Sequence, residues 1–161
     1  MTDQLTIRAA TPADVGLIID FIEALAAYEK LGHEAQASEA DIRRDLFGAD
    51  PKVFCEIAEW DGRPVGFTLW FYTYSTFQGR HGMWLEDLFV DPAMRGKGIG
   101  KALLINLARR CVEEGLGRFE WWVLDWNEPS IEFYKAQGGV MQDEWTKVRV
   151  DGAALLTLGA S

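Results

Sequence analysis

The chain has few of the residues that build metal sites and disulfide scaffolds. It contains two cysteines and two histidines in 161 residues. Cys55 and Cys111 are far apart and form no CxxC motif, and neither His33 nor His81 has clustered ligand partners. We therefore expect no metal site, and this cysteine usage predicts a reducing cytoplasm.

Long apolar runs and an excess of positive charge are also absent. No run of about 18 apolar residues occurs and the N-terminus has no apolar signal core, which argues against a membrane span and a secretory signal. The net charge is −9, from 25 acidic and 16 basic residues. Nucleic-acid binding requires a basic face, so this balance argues against a nucleic-acid partner. A cationic substrate fits better, although most of the charge can equally be solvated surface.

The composition that is present is that of a globular protein. Apolar residues make up 48% of the chain and aromatic residues 12%, which is too apolar for a disordered protein. At this length we expect a single domain over residues 1–161, with a core that needs no disulfide or metal.

Strand and helix patterns alternate along the chain without repeats or linkers. The patterns predict strands at residues 5–8, 53–60, 64–74, 84–90, 119–126, 145–150 and 153–158. They predict helices that begin near Thr11, Ser38, Gly98 and Asn127 and end near Tyr28, Gly48, Gly115 and Gly138. Hairpins on both sides of a strand–helix–strand–helix centre indicate an α/β (mixed α+β) fold. Its central mixed, mostly antiparallel sheet should have about six or seven strands, flanked by about four helices.

The most informative segment is a glycine-rich loop between a predicted strand and a predicted helix. It reads Arg95-Gly96-Lys97-Gly98-Ile99-Gly100-Lys101. Glycines let the backbone approach a ligand closely, and the first turn of a helix offers unpaired N–H groups at a positive dipole end. The loop is therefore predicted to bind a phosphate, with a tight turn between cationic residues as the alternative.

Spacing separates this loop from two better-known glycine loops. A Walker P-loop would place glycine at Arg95 and Ser or Thr at Ala102, and a dinucleotide-binding loop would place its third glycine at Lys101. Neither pattern is met. The pattern that remains, Arg-x-x-Gly-x-Gly from Arg95 to Gly100, resembles the acetyl-CoA pyrophosphate loop of the GNAT superfamily of N-acetyltransferases.

The resemblance covers essentially the whole chain, because the predicted element order matches the GNAT fold. Five strings resemble the diamine branch of that superfamily, which contains the spermidine/spermine and thialysine acetyltransferases. They are Tyr28-Glu29, Leu85-Glu86-Asp87, the glycine loop, Asn127-Glu128-Pro129-Ser130 and Phe133-Tyr134-Lys135.

The resemblance implies acetyl-CoA as cosubstrate and assigns roles to particular residues. Those implied for acetyl-CoA are the main-chain N–H groups of Leu88 and Val90, the loop from Arg95 to Lys101, Asn127 and Tyr134. Glu86 is the implied base, acting directly or through water, and Tyr134 the implied acid. The residues implied for the amine substrate are Glu29, Glu86, Asp87 and Trp145.

The chemistry of acetyl transfer needs both a base and an acid. An alkylamine with a pKa of about 10.4 is about one part in a thousand neutral at pH 7, so a base must take its proton. The departing thiolate needs a proton in return, which a tyrosine can supply.

Simpler roles remain open for the same residues. Tyr134 can be a packing tyrosine, Asn127 a helix cap, and Glu86 and Glu29 solvated carboxylates. Alternation along the strand predicts that Asp87 lies on the face opposite Glu86. The segment from Tyr134 to Trp145 is shorter than in the animal polyamine enzymes, which leaves the role of Trp145 open.

We therefore predict direct acetyl transfer to the primary amine of a small cationic substrate, either a diamine or polyamine or a thialysine-like amino acid. A covalent intermediate is not expected, because Cys55 and Cys111 fall on predicted core faces. The resemblance implies a homodimer. The alternatives are a GNAT enzyme for another amine such as a peptide N-terminus, a catalytically silent acyl-CoA-binding regulator, and a nucleotide-binding module.

Overall fold

The described residues form one five-stranded sheet and five α-helices. The structure, a computed structural model, describes residues 4–161. Residues 1–3 lie outside the described residues. They belong to the N-terminal segment for which the sequence predicts no secretory signal. The strands are β1 (Leu5–Ala9), β2 (Phe54–Trp60), β3 (Arg63–Ser75), β4 (Arg80–Val90) and β5 (Phe119–Glu120). The helices are α1 (Val15–Tyr28), α2 (Glu39–Phe47), α3 (Ile99–Glu114), α4 (Glu128–Ala136) and α5 (Gly152–Gly159).

The chain falls into two compact units. The first ends at Trp122 and contains the five strands and helices α1 to α3. The second runs from Val123 to Ser161 and contains α4 and α5. A single domain over the whole chain stays a prediction.

The sheet is mixed and mostly antiparallel, as predicted. Its strand order is β1-β2-β3-β4-β5, and the first four strands pair antiparallel. The last strand, β5, pairs parallel to β4. The turn between β2 and β3 is Asp61-Gly62, with φ of 49° and 76°. Positive φ at both turn residues matches the twist of a two-residue hairpin, which confirms this predicted turn.

The core lies on both faces of the sheet, because side chains alternate along the strands. One cluster joins α1 and α2 to one face and includes Ile18, Phe21, Phe67, Leu69 and Phe89. The other joins α3 to the opposite face and includes Leu5, Val65, Val90, Ile99 and Leu103. Strand β4 contributes to both clusters and is therefore covered on each side.

Local capping residues start the first two helices where the sequence predicts. Ser38 caps α2, since its hydroxyl accepts a hydrogen bond from the Asp41 N–H at 3.2 Å. Before α1, Thr11 forms a capping box with Asp14 around a short 3₁₀ segment, Pro12–Asp14. Both predicted starts, at Thr11 and Ser38, are confirmed.

The predicted closing hairpin is wrong. Residues 145–150 contain no strand, and residues 153–158 lie within helix α5. Residues 153–158 are rich in Ala and Leu, which favour helix, and Thr157 is their one β-branched residue. Because residues 153–158 are helical, residues 145–150 lack the strand with which they were predicted to pair.

The strand count is accordingly lower than predicted and the helix count higher. Residues 4–161 form five strands and five α-helices, whereas about six or seven strands and about four helices were predicted. Strand β5 is also shorter than expected, since residues 121–126 do not extend it. Its ladder to β4 consists of the pairs Met83–Phe119 and Trp84–Glu120.

Both cysteines are buried free thiols, as their predicted core positions require. Within residues 4–161, no helix combines the length and the hydropathy that a membrane crossing needs. Over the same span, His, Cys, Asp and Glu side chains form no group of three or more that could hold a metal ion.

Asp14 should stabilise the fold in a pH-dependent way. Both its carboxylate oxygens accept hydrogen bonds from the Arg8 guanidinium, at 2.8 and 2.9 Å. This pairing lowers the pKa of Asp14 from 3.8 to about 2. We expect Asp14→Asn to lower the free energy of unfolding by about 2 kcal/mol near neutral pH. The stabilisation is present above the unfolded pKa, so the difference should shrink as pH falls from about 4 to about 2. Urea unfolding of both proteins at several pH values measures it, and a pH-independent difference would contradict the ion-pair explanation.

Candidate functional site

The glycine-rich loop leads from β4 into α3 through a conformation that requires glycine. Gly96 and Gly98 have φ of 79° and 78°, in the left-handed region. Gly98 is also the N-cap of α3, and no side chain caps that helix end. The first N–H groups of α3 therefore have no intrahelical acceptor and no side-chain cap, which makes the helix start suitable for an anion.

Three cations surround this helix start. Arg95, Lys97 and Lys101 are exposed. In the described part of the chain, none of them forms an ion pair with a carboxylate. The Arg95 Nε donates instead to the main-chain carbonyl of Val90 at 3.4 Å. Their charge is thus available to a ligand.

The loop lies directly beside the end of β4. A methyl group on Gly100 would lie 3.8 Å from Val90 Cγ2 and 3.9 Å from Leu88 Cδ2. The structure thus brings together the residues predicted for acetyl-CoA in the first unit, from Leu88 to Lys101.

Strand β4 contains a β-bulge at Glu86. Asp87 pairs with Leu69 of β3, whereas Leu85 pairs with the next residue, Trp70, so Glu86 has no partner on β3. A bulge inserts one extra residue, which shifts the side-chain alternation by one position. Asp87 therefore lies on the same face as Leu69, the face covered by α1.

Because of the bulge, the prediction that Glu86 and Asp87 lie on opposite faces of the sheet is wrong. Trp84 Nε1 donates to Glu86 Oε2 at 2.9 Å, so these two side chains lie on one face. Leu85 lies between them in sequence and points to the other face with Trp70, its partner on β3. Glu86 and Asp87 consequently share the face covered by α1, whereas strict alternation predicts opposite faces.

The edge of β4 beyond the bulge presents main-chain donors. The Asp91 N–H donates to the Val65 carbonyl of β3 at 2.8 Å. Because N–H direction alternates along a strand, the N–H groups of Leu88 and Val90 point to the opposite edge. Within residues 4–161, the parallel ladder to β5 does not continue past Trp84. These two donors therefore have no strand partner there.

A third carboxylate joins the pair from the end of α1. Glu29 is the C-cap residue of that helix and is partly buried. Burial and then the charge of Glu86 raise the pKa of Glu29. Burial, followed by the charges of Glu86 and Glu29, raises the pKa of Asp87 to about 7. The three carboxylates, Glu29, Glu86 and Asp87, are called the carboxylate trio below.

The carboxylate trio has no cationic partner among the described residues. None of its members forms an ion pair between residues 4 and 161. Glu29 and Asp87 are partly buried, whereas Glu86 is exposed. Carboxylates that repel one another favour a cation in their midst, because it offsets their repulsion and the desolvation of the two partly buried members. The trio can therefore hold an ammonium group or accept a proton.

The remaining predicted site residues lie in the second unit. Asn127 is buried and caps α4, where its Oδ1 accepts from the Ser130 N–H at 3.4 Å. Tyr134 is partly buried on the same helix, with its ring 5.4 Å from that of Phe133. Trp145 lies outside the helices and strands and is 77% exposed. The capping role of Asn127 is confirmed, and the other roles stay predictions.

Sequence reasoning missed two features of this site. The bulge at Glu86 has no local sequence signal, because it depends on the register with β3. Trp84 was also missed as the residue that holds the Glu86 carboxylate. Its position two residues before Glu86 on a strand was the available signal, since such residues share a face.

Comparison with known proteins identifies the family. The sequence pattern of the Acetyltransferase (GNAT) family matches residues 19–138. The chain belongs to the GNAT family. It is therefore an N-acetyltransferase, and the acetyltransferases of this family use acetyl-CoA. The nucleotide-binding alternative is not supported.

Similar proteins cover almost the whole GNAT chain. Thialysine N-epsilon-acetyltransferase of Sus scrofa is 36% identical over 163 residues, which are 94% of this chain and 95% of that protein. L-ornithine N5-acetyltransferase NATA1 of Arabidopsis thaliana is 31% identical over 194 residues, covering 92% and 85%. A solved integron cassette protein from the V. cholerae mobile metagenome has a TM-score of 0.82 at 27% identity, covering 99% and 100%. The GNAT fold implied by the resemblance is confirmed.

Proposed function

We propose that this GNAT enzyme transfers an acetyl group from acetyl-CoA directly to the primary amine of a small substrate with a second positive charge. A diamine, a polyamine or a thialysine-like amino acid would have this chemistry. The observation that carries the proposal is the carboxylate trio, which has no cationic partner among the described residues. The bulge in β4 places Glu86 and Asp87 on one face, and the end of α1 adds Glu29. The names of two similar proteins, for thialysine and for L-ornithine, support the same substrate class.

The cosubstrate would bind along the end of β4 and the start of α3. The loop from Arg95 to Lys101 offers cations and helix N–H groups to the pyrophosphate. The main-chain N–H groups of Leu88 and Val90 would donate hydrogen bonds to the acetyl carbonyl and to pantetheine. Pantetheine would then lie along the edge of β4 as an added strand does. Asn127 is proposed to contact the pantetheine amides.

The proposed chemistry uses one base and one acid. Glu86, whose carboxylate Trp84 holds, takes the proton of the attacking ammonium group, directly or through water. Tyr134 returns a proton to the departing thiolate of CoA. The new N–C bond forms as the thioester C–S bond breaks, so no acyl-enzyme is needed. Burial raises the pKa of both thiols, Cys55 and Cys111, which argues against a cysteine nucleophile.

Amine selectivity would depend on the second positive charge of the substrate. We propose that Glu29 and Asp87 bind the ammonium group that does not react, with Trp145 as an aromatic wall. A substrate of this kind supplies the cation that the trio lacks.

The test is CoA thiol release from acetyl-CoA with the purified protein and a panel of amines. The panel contains spermidine, spermine, putrescine, thialysine, lysine, ornithine and a generic peptide. Putrescine and n-butylamine form a matched pair, since they differ only in the second amine. We expect kcat/KM for n-butylamine to be at least about tenfold lower, because charge-assisted hydrogen bonds contribute about 1.5–3 kcal/mol.

Other outcomes of this assay would contradict the proposal. Release with the peptide alone would indicate a peptide N-terminus as acceptor. CoA binding without release for any amine would indicate a silent acyl-CoA-binding regulator. Equal turnover of putrescine and n-butylamine would exclude a role for the second charge.

The remaining expectations are kept as proposals. We propose a cytoplasmic homodimer that acts without a metal ion and has neither nucleic acid nor a membrane as partner. The acidic composition and the residues of the carboxylate trio support a cationic small molecule as the partner.

A further inference from the structure

Two aromatic rings lie beneath two of the three cations of the glycine-rich loop, Arg95 and Lys97. The Arg95 guanidinium carbon is 4.6 Å from the centroid of the Tyr28 ring. The Lys97 Nζ is 5.3 Å from the centroid of the Trp60 ring. Both distances are within the range of a cation–π interaction. The rings come from different elements, α1 and β2, so the loop is held from two sides.

The backbone that carries the first ring is well defined. Helix α1 ends in a Schellman motif, in which the Leu31 N–H donates to the Ala26 carbonyl at 2.8 Å and the Lys30 N–H to the Ala27 carbonyl at 3.1 Å. Lys30 adopts a φ of 62°, as this motif requires of the residue after the cap. Tyr28 lies in the last turn, so its ring projects from a structured helix end.

The second ring is anchored by the sheet. Trp60 is the last residue of β2, where it pairs with Leu5 of β1 and with Arg63 of β3. It also packs against the core cluster that contains Val65 and Ile99. Its position is therefore set by tertiary structure.

Fixing long cationic side chains favours ligand binding. Arg95 and Lys97 are exposed, and a free arginine or lysine loses much rotamer freedom when it binds a phosphate. A ring beneath the charge holds the side chain before the ligand arrives, which reduces that loss. Arg95 is restrained a second time, because its Nε donates to the Val90 carbonyl at 3.4 Å.

We propose that Tyr28 and Trp60 are positioning residues for the cosubstrate, which hold Arg95 and Lys97 ready for the CoA phosphates. The inference rests on the proposed function, in that the loop binds CoA. It extends that function to two residues that contact the loop cations rather than the ligand. Tyr28 is also the neighbour of Glu29, so the end of α1 supports the cofactor loop and the carboxylate trio at once.

The test measures CoA affinity by calorimetry in ring-deleting and ring-keeping variants. Tyr28→Leu should weaken CoA binding about three- to tenfold, whereas Tyr28→Phe should stay within about twofold of the parent. Trp60→Leu should weaken binding similarly. Tyr74→Leu is the matched control, because Tyr74 is 58% exposed and lies on β3 away from the loop. Tyr28→Met replaces Tyr28→Leu if that variant does not fold.

A double-mutant cycle separates positioning from general structural damage. If the ring acts through Arg95, Tyr28→Leu should change the CoA dissociation constant by less than about twofold in an Arg95→Ala background. Full additivity of the two losses, or equal losses in Tyr28→Phe and Tyr28→Leu, would overturn the proposal. Absence of CoA binding in the parent protein would instead overturn the proposed function.

Discussion

Replacing Glu86 with glutamine should lower kcat/KM for amine acetylation by about 10²- to 10⁴-fold, the contribution typical of a general base. Glutamine keeps an oxygen that can accept the Trp84 Nε1–H bond, so the side chain should stay in place. It cannot take a proton from an ammonium group. The measurement is initial-rate thiol release with the best amine of the panel, over a range of pH.

The pH profile distinguishes a base from a binding residue. If Glu86 is the base, raising the pH should partly restore the variant, because more of the amine is then neutral without help. Glu23→Gln is the matched control, since Glu23 is exposed on α1 and the change in net charge is the same. If kcat/KM is unchanged in Glu86→Gln, Glu86 is not the general base. Asp87 would then be the first alternative to test.

Replacing Asp87 with asparagine should stabilise the protein above about pH 7. Burial and the charges of Glu86 and Glu29 raise the pKa of Asp87 from 3.8 to about 7. The folded state therefore binds this proton more tightly than the unfolded state, and stability is lost as pH rises between these two values. We expect Asp87→Asn to raise the free energy of unfolding by about 2–4 kcal/mol at about pH 8, with little effect near pH 4.

Chemical denaturation of both proteins at several pH values measures this increase in the free energy of unfolding. Asp20→Asn is the matched control, because Asp20 is exposed on α1 and should show no such pH dependence. The variant should at the same time lose affinity for the cationic amine, as expected where a destabilised site serves function. If Asp87→Asn is instead less stable at high pH, the ionised Asp87 carboxylate has a favourable partner in the fold. That result would contradict the conclusion that the carboxylate trio has no cationic partner among the described residues.

Sequence reasoning succeeded where the decisive interaction is local. Ser38 and Asn127 were recognised as helix caps, because a cap bonds to N–H groups within three residues of itself. Gly96 and Gly98 adopt positive φ, a backbone requirement that their residue type alone indicates. The glycine-rich loop could therefore be located before the fold was known.

Sequence reasoning failed where the outcome depends on residues far apart in the chain. Residues 153–158 were predicted as the second strand of a hairpin, but an apolar run of this length does not separate strand from helix. The face of Asp87 was predicted wrongly for a related reason. A bulge is a difference in register between two strands, and neither strand encodes it alone.

The sequence by itself determined the family, the glycine-rich loop and the residue types of the candidate site, because these follow from short strings and local backbone preference. Tertiary structure alone decided three further properties. It placed Glu86 and Asp87 on one face with Glu29, opened the edge of β4 past Trp84, and set Tyr28 beneath Arg95. Each of these depends on strand register or on helix packing between residues far apart in the chain, which no local pattern specifies.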